Sequence, residues 1–452
     1  MAAFDFPASP TNGQTYSLNG VLFTYNGYGW KQQSASGPVD AAYVDAADAL
    51  RVLKAGDTMS GHLSLPTAPA AANAVRKDYV DTSDALKADK TYTDTQDAAT
   101  LAAAKVYAAP LDALAYSGMQ INGSMEVGQE KGTNGSTAGY ACDGWALSKV
   151  GTMVITAAIG FNLSGFVGLP WQLYITVQTG QTILSGTDNV GLYQAIEGYR
   201  IIRLAWGTSN AKPLTIGFWT AHHRTGTYAV AFRNAAQDRS CVCTYTQNVA
   251  DVPEYKTITI PGDTTGTWGV NNTVGLYVSF MFAVGTTGNT STFNVWQAGT
   301  VTGANGQSNT VATTDVFRIS GIVILPGTQA PTAAQSPLIM RPFDQELVTC
   351  QRYWRNLVVE GPLFSSSTTT VQTIIRHPSM RGLPTITARD TLSITNGSVN
   401  FTQSAVNAGI LAIPTADYAS YSFGNFTGLT VGASYMTQMA LSASRIALDA
   451  RL

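Results

Sequence analysis

The chain is short of charge, of cysteine and of long apolar runs, and each shortage removes a class of function. Asp, Glu, Lys and Arg make up 12% of 452 residues, about half the usual share of roughly 25%. A formal charge of −2 gives no field that would draw in a polyanion, so nucleic acid and anionic membrane are set aside as partners. No stretch reaches the roughly 18 apolar residues of a spanning helix, so no membrane insertion is expected. The opening MAAFDFPASP lacks the basic and apolar regions of a secretion signal, which implies assembly in the cytosol. Four cysteines, Cys142, Cys241, Cys243 and Cys350, are too sparse for a disulfide framework, and the C-x-C pair reads as two buried free thiols on one strand face. His222 and His223 are adjacent, so on a strand they point to opposite faces and cannot both ligate one ion.

Catalytic signatures are missing as well. The sequence has no phosphate-binding glycine loop, nucleophile elbow or H-E-x-x-H run. A glycosidase needs two carboxylates across one bond, and Glu126, Glu130, Asp143, Glu197, Asp251, Glu254 and Asp263 are dispersed. The expectation is a non-enzyme that needs no cofactor.

What is present divides into four segments and predicts a mainly β protein. Residues 1–33 alternate turn dipeptides such as Asn12-Gly13, Asn19-Gly20 and Asn26-Gly27 with short strands, a β-meander whose core would be Phe23, Tyr25, Tyr28 and Trp30. Residues 34–116 are rich in alanine and aspartate, with ten aspartates from Asp40 to Asp97 and no glutamate before Glu126. Here YVDAADAL from Tyr43, YVDTSDALKADK from Tyr79 and YTDTQDA from Tyr92 form a repeat. Tyr43 with Leu50, and Tyr79 with Leu86, are one heptad apart, which predicts a short helical, coiled-coil-like stalk shared by three chains, the alternative being a solvated linker helix, since Ser83 and Lys90 interrupt the seam. In residues 117–341 apolar and polar residues alternate over Thr152–Ile159, Trp171–Val177, Leu214–Thr220, Thr227–Phe232, Val274–Val284 and Val316–Leu325. Many strands without helices between them predict a two-sheet sandwich or jelly roll, with Trp145, Trp206 and Trp219 in its core. Residues 342–452 open with a helix predicted over Glu346–Arg355, its apolar face Leu347, Cys350 and Trp354, and continue as a smaller β-domain.

Three stretches resemble known families. Residues 53–81, LKAGDTMSGHLSLPTAPAAANAVRKDYVD, resemble the strand-then-helix element of bacteriophage tail fibre proteins. Residues 4–31, with Pro7, Pro10, Gly13-Gln14, Tyr16 and YNGYGW, resemble the adaptor at the start of tail fibre and collar proteins. INGSMEVGQE (121–130), ACDGWALSK (141–149), LYQAIEG (192–198), PLTIGFWTAHH (213–223) and FRISGIVILPG (317–327), followed by RPFDQEL (341–347) and CQRYW (350–354), are similar to a carbohydrate-binding-module-like jelly roll and its following helix in phage structural proteins. That family usually has a basic residue where this chain has Gly144, a departure that weakens a binding inference from Asp143 and Trp145 and leaves the fold inference as it is.

The resemblance implies a homotrimeric phage tail fibre or receptor-binding protein in the virion tail. Its N-terminal region would join a tail or baseplate protein, and its distal part would adhere to a host surface polysaccharide or other receptor. A structural collar, baseplate or head appendage protein and a capsule-degrading tailspike are the alternatives. Sugar rings stack on exposed aromatics, so Trp268 in a Gly-Thr-Trp-Gly turn, and Tyr418 and Tyr421 in the loop-like TADYASYSFGNF, are the expected ligand-binding residues.

Overall fold

The computed structural model describes residues 6–18, 20–33, 97–101, 118–161, 165–403, 407–412, 418–437 and 445–452. The chain forms two compact units, 1–99 and 100–452. The stalk expectation, with the Leu53–Asp81 element, lies outside the described residues, apart from a helical stretch at 97–101.

In the first unit β1 (Thr15–Leu18), β2 (Val21–Tyr25) and β3 (Trp30–Gln32) form an antiparallel meander. The β2–β3 turn closes because Asn26 Oδ1 accepts the backbone N–H groups of Tyr28 and Gly29 at 3.1 and 2.9 Å, an Asx turn. Phe6, Tyr16, Phe23, Tyr25 and Trp30 pack together, with Phe6 stacked on Trp30 at 5.3 Å. Tyr28 does not join them as expected: it stands at the turn tip, 98% exposed, and Phe6 and Tyr16 take its place. None of the five rings is fully buried, because so few residues cannot enclose an aromatic cluster alone.

The second unit is built on a two-sheet antiparallel sandwich. One sheet runs β15 (Trp296–Ala298), β11 (Arg239–Gln247), β10 (Gly226–Arg233), β13 (Val274–Val284), β8 (Asn189–Glu197), β5 (Trp145–Val150), β4 (Tyr140–Cys142). The other runs β12 (Glu254–Ile260), β9 (Leu214–Thr220), β17 (Val316–Pro326), β7 (Trp171–Thr179), β6 (Val154–Phe161). Alternation decides what lies between them: Leu276, Val278, Phe280 and Phe282 of β13 meet Leu214, Ile216 and Phe218 of β9 in one cluster. Cys241 and Cys243 both face inward, fully buried and free. Trp145 is fully buried and donates its indole N–H to the carbonyls of Ile121 and Asn122 at 3.1 and 3.2 Å. Trp206 is buried too. Trp219 differs from expectation: it is out of phase with Phe218, so it sits half-buried on the outer face and donates to Ser336 Oγ at 2.7 Å.

A short helix α1 (Gly198–Ile201) follows β8, and α2 (Phe343–Gln351) follows the sandwich. The sequence places α2 three residues later and four residues longer at its end. Pro342 caps it in an extended conformation, since proline suits a helix start and not its interior. The chain then turns at Arg352-Tyr353, and Trp354–Val358 pairs with Arg445–Asp449. Leu347 and Cys350 still pack against Ile121, Val127 and Tyr353, while Trp354 leaves that face for the strand. A three-stranded and a seven-stranded sheet make up the rest, around Leu363, Val371, Ile394, Tyr421, Phe423 and Tyr435. This part is tied to the sandwich by Arg381 Nη1 donating to the Asn272 carbonyl at 2.7 Å and by Tyr140 Oη donating to the Leu452 carbonyl at 2.9 Å.

Candidate functional site

Two of the three residues expected to bind a ligand are corrected by their burial. Trp268 is 6% exposed, set edge-on to Trp206 at 4.6 Å and Trp296 at 5.1 Å, with its indole N–H on the Thr265 carbonyl. Small flanking glycines do not leave this ring open to solvent. Instead Gly266, with φ +77°, lets the chain turn the indole inward. Tyr421 is fully buried, and its hydroxyl meets His377 Nε2 at 3.0 Å. It lies in a strand, Tyr418–Gly424, not a loop, and its alternation with Ser420 and Ser422 puts the large ring inside. Tyr418 belongs to the same strand, and its side chain lies outside the described residues.

An accessible aromatic pair with a cation beside it lies on the outer face of the sandwich sheet that holds β8 and β13. The core phase of β13 is Leu276, Val278 and Phe280, so Tyr277 and Ser279 point away from it; on β8, Leu192 and Ile196 are core, so Tyr193 and Ala195 point away. Cross-strand register puts Tyr193 opposite Ser279 and Ala146, and Tyr277 opposite Ala195 and Arg233. Tyr193 and Tyr277 are half-buried with ring centroids 6.1 Å apart, edge to face. The Arg233 guanidinium carbon lies 5.7 Å from the Tyr277 centroid, a cation–π approach. Ala146, Ala195 and Ser279 are buried beneath them, so two phenol rings and a guanidinium stand over a floor of small side chains. Gly191 allows β8 to lie close to β13: a Cβ there would fall 2.4 Å from the Phe280 carbonyl oxygen.

The rest of this face is closed on two sides. Toward β10 and β11, Ala229, Ala231, Val242 and Met281 are covered by Phe293, Val301 and Ala304, from the stretch that carries the parallel pair β14 (Asn289–Thr290) and β16 (Gly303–Ala304). Toward β4, Arg451 lies over the Tyr140 ring at 4.2 Å, and a small cavity opens between Ala195, Tyr140, Tyr353 and Arg451. Burial and the neighbouring Tyr277 hold the Tyr193 phenol above its ordinary pKa, so it is a neutral hydrogen-bonding ring near pH 7. Glu197, the carboxylate of β8 on this face, is buried and engaged by Arg352 at 2.6 and 3.0 Å and by Tyr353 Oη at 2.8 Å.

Residues near the sequence motifs are structural. Asp143 accepts from Gln129 N and Nε2 at 2.7 and 2.6 Å, and burial pushes its pKa up to about 6. Gly144 has φ +77°, and a Cβ would meet Gln194 Nε2 at 3.0 Å, which accounts for a glycine at this position. His222 is fully buried and His223 is exposed, on opposite faces. Among the described residues no group of His, Cys, Asp and Glu could hold a metal ion.

Sequence reasoning missed Tyr193, Tyr277 and Arg233. Their signal is an aromatic or cationic residue on the polar phase of an alternating strand, as in Leu192-Tyr193-Gln194 and Leu276-Tyr277-Val278.

No family model and no curated protein matches the sequence. Solved structures with some likeness include a tailspike protein 4 enzymatically active domain of bacteriophage CBA120, 12% identical over 47% of this chain and 22% of that one, TM-score 0.26. A second is the xylanase 10B CBM22-1 and GH10 modules of Clostridium thermocellum, 14% identical over 46% of this chain and 30% of that one, TM-score 0.23. The chain thus spans less than a third of either. A third is the family 11 carbohydrate-binding module of a Clostridium thermocellum cellulosomal cellulase, 15% identical over 46% of this chain and 99% of that one, TM-score 0.22.

Proposed function

We propose that this chain is a bacteriophage tail fibre that attaches the virion to a glycan on the host cell surface, with Tyr193, Tyr277 and Arg233 as the contact face. The observation that carries the glycan reading is the pair of half-exposed phenol rings over Ala146, Ala195 and Ser279. A pyranose presents an apolar face to such rings, and its hydroxyls suit phenol and guanidinium groups. The tail fibre reading is supported by the resemblance of residues 53–81 and 4–31. On this reading the N-terminal aromatic sheet joins the tail or baseplate, and three chains share the stalk.

Full-length protein on an array of bacterial surface polysaccharides tests the contact face. The double variant Tyr193→Ala/Tyr277→Ala is expected to bind its best glycan at least tenfold more weakly, a loss of about 1.4 kcal/mol or more, with an unchanged urea midpoint. Equal binding by wild type and double variant would refute this face. The stalk is tested separately, because each of its helices has too little apolar surface to persist alone. Light scattering at micromolar concentration is expected to give three times the 47.7 kDa chain mass; a monomer would rule out the shared stalk.

A further inference from the structure

We infer that this face takes an acidic glycan, one bearing a carboxylate, and that Arg233 is the counter-ion; the inference rests on the glycan reading above. Eight of the described arginines of this unit pair with carboxylates, while Arg355 and Arg381 end on amide and carbonyl oxygens; four of the eight pair in one manner. Arg224 with Asp315, Arg239 with Asp263, Arg352 with Glu197 and Arg445 with Asp390 each use the edge formed by Nε and Nη2. That edge matches the two oxygens of a carboxylate.

Arg233 leaves the Nε half of that edge unpaired. Its Nη1 donates to Gln237 Oε1, its Nη2 reaches Ser279 Oγ at a long 3.3 Å, and its buried Nε–H has no acceptor. Among the described residues no carboxylate pairs with it. A shielded donor without a partner is costly and native structures keep few of them; among the described residues Arg355 Nε is the other arginine donor left so. Here the unsatisfied donor lies beside Tyr277, opposite it in register, and one pair of strands from Tyr193, where a sugar stacked on the rings would carry its substituents. A carboxylate oxygen on Nε and the other on Nη2 would satisfy the orphan donor, neutralise the guanidinium and displace only the weak Ser279 contact. A neutral sugar hydroxyl would leave the charge uncompensated, so the face discriminates between the two.

The test uses full-length protein and a panel of oligosaccharides bearing uronate, sialate or pyruvate groups, each beside its carboxyl-reduced counterpart. Binding is read by titration calorimetry at low and high salt. The acidic form of the best ligand is expected to bind at least tenfold more tightly than its reduced form, with the gap narrowing in salt. Arg233→Gln should erase the gap, the acidic form falling to the affinity of its reduced counterpart. Arg233→Lys keeps the charge without the fork and should also lose most of the gap, which holds the test open if the glutamine variant fails to fold. If acidic and reduced forms bind equally, or if the gap survives in both variants, the acidic inference is overturned while the glycan reading stands. If no member of the panel binds in either form, both fall.

Discussion

Glu346→Ala is expected to lower the urea-unfolding free energy by about 3–5 kcal/mol, the cost of leaving one member of a dry ion pair unpaired. Glu346 and Arg341 have side chains only 3% and 5% exposed. The carboxylate accepts from Arg341 Nη1 at 2.9 and 3.2 Å and from the Asn122 backbone N–H at 2.8 Å. Arg341 in turn donates to the carbonyls of Gln120 and Gly118. One carboxylate therefore joins α2 to the strandless segment 118–122, which itself supports Trp145 through the Ile121 and Asn122 carbonyls. Truncation would leave a buried guanidinium with neutral acceptors alone and orphan the Asn122 N–H. The companion Arg341→Met/Glu346→Leu should recover most of the loss, because removing both charges removes the need for either. A Glu346→Ala loss below about 1 kcal/mol would show that water reaches the pair.

That ion pair also shows how far the sequence could be read. The run RPFDQEL was recognisable, and the helix it starts was expected, but nothing in its spacing says that Glu346 reaches Asn122 across more than two hundred positions. Strand existence was legible because alternation in stretches such as Val274–Val284 is imposed by a core on one side, and the strand has those bounds. The same alternation marks Tyr277 as outward-facing. The glycine-rich and serine-rich stretches around Trp268 and Tyr421 point elsewhere. Those stretches mislead here for a physical reason: small neighbours at Gly266 and Ser420 leave room for a ring, and a folding chain fills that room by turning the ring inward. The end of α2 was illegible because pairing of Trp354–Val358 with Arg445–Asp449, about ninety residues on, overrides local helix propensity.

The second large effect is a divergence of acid stability between two single variants. His222 is enclosed by Tyr228, Tyr245, Phe282 and Phe317. Its Nδ1 accepts the Arg318 backbone N–H at 3.1 Å, so the ring proton sits on Nε2, which lies 2.9 Å from Tyr245 Oη. A second proton on Nδ1 would face that N–H, and burial together with the Arg318 charge depresses the pKa to about 3. In the unfolded chain the same imidazole takes up a proton near pH 6.5. The unfolded state thus binds more protons below that pH, and the stability present above 6.5 is lost as pH falls toward 3, about 5 kcal/mol in all. Asp143 works in the opposite sense. Its folded pKa of about 6 lies above the unfolded value near 3.9, so its contribution is complete below about pH 4 and is lost as pH rises to about 6. Between about pH 4 and 6 the two slopes oppose each other, each near 1.4 kcal/mol per unit. Urea titrations at pH 4, 5 and 6 are expected to find the wild type nearly flat as far as these two groups go. His222→Gln, which keeps an acceptor and a donor, should become more stable toward pH 4 relative to wild type by about 2–3 kcal/mol, and Asp143→Asn less stable by a similar amount. Parallel curves for all three proteins would mean that neither group changes its protonation between the folded and unfolded chain in this range.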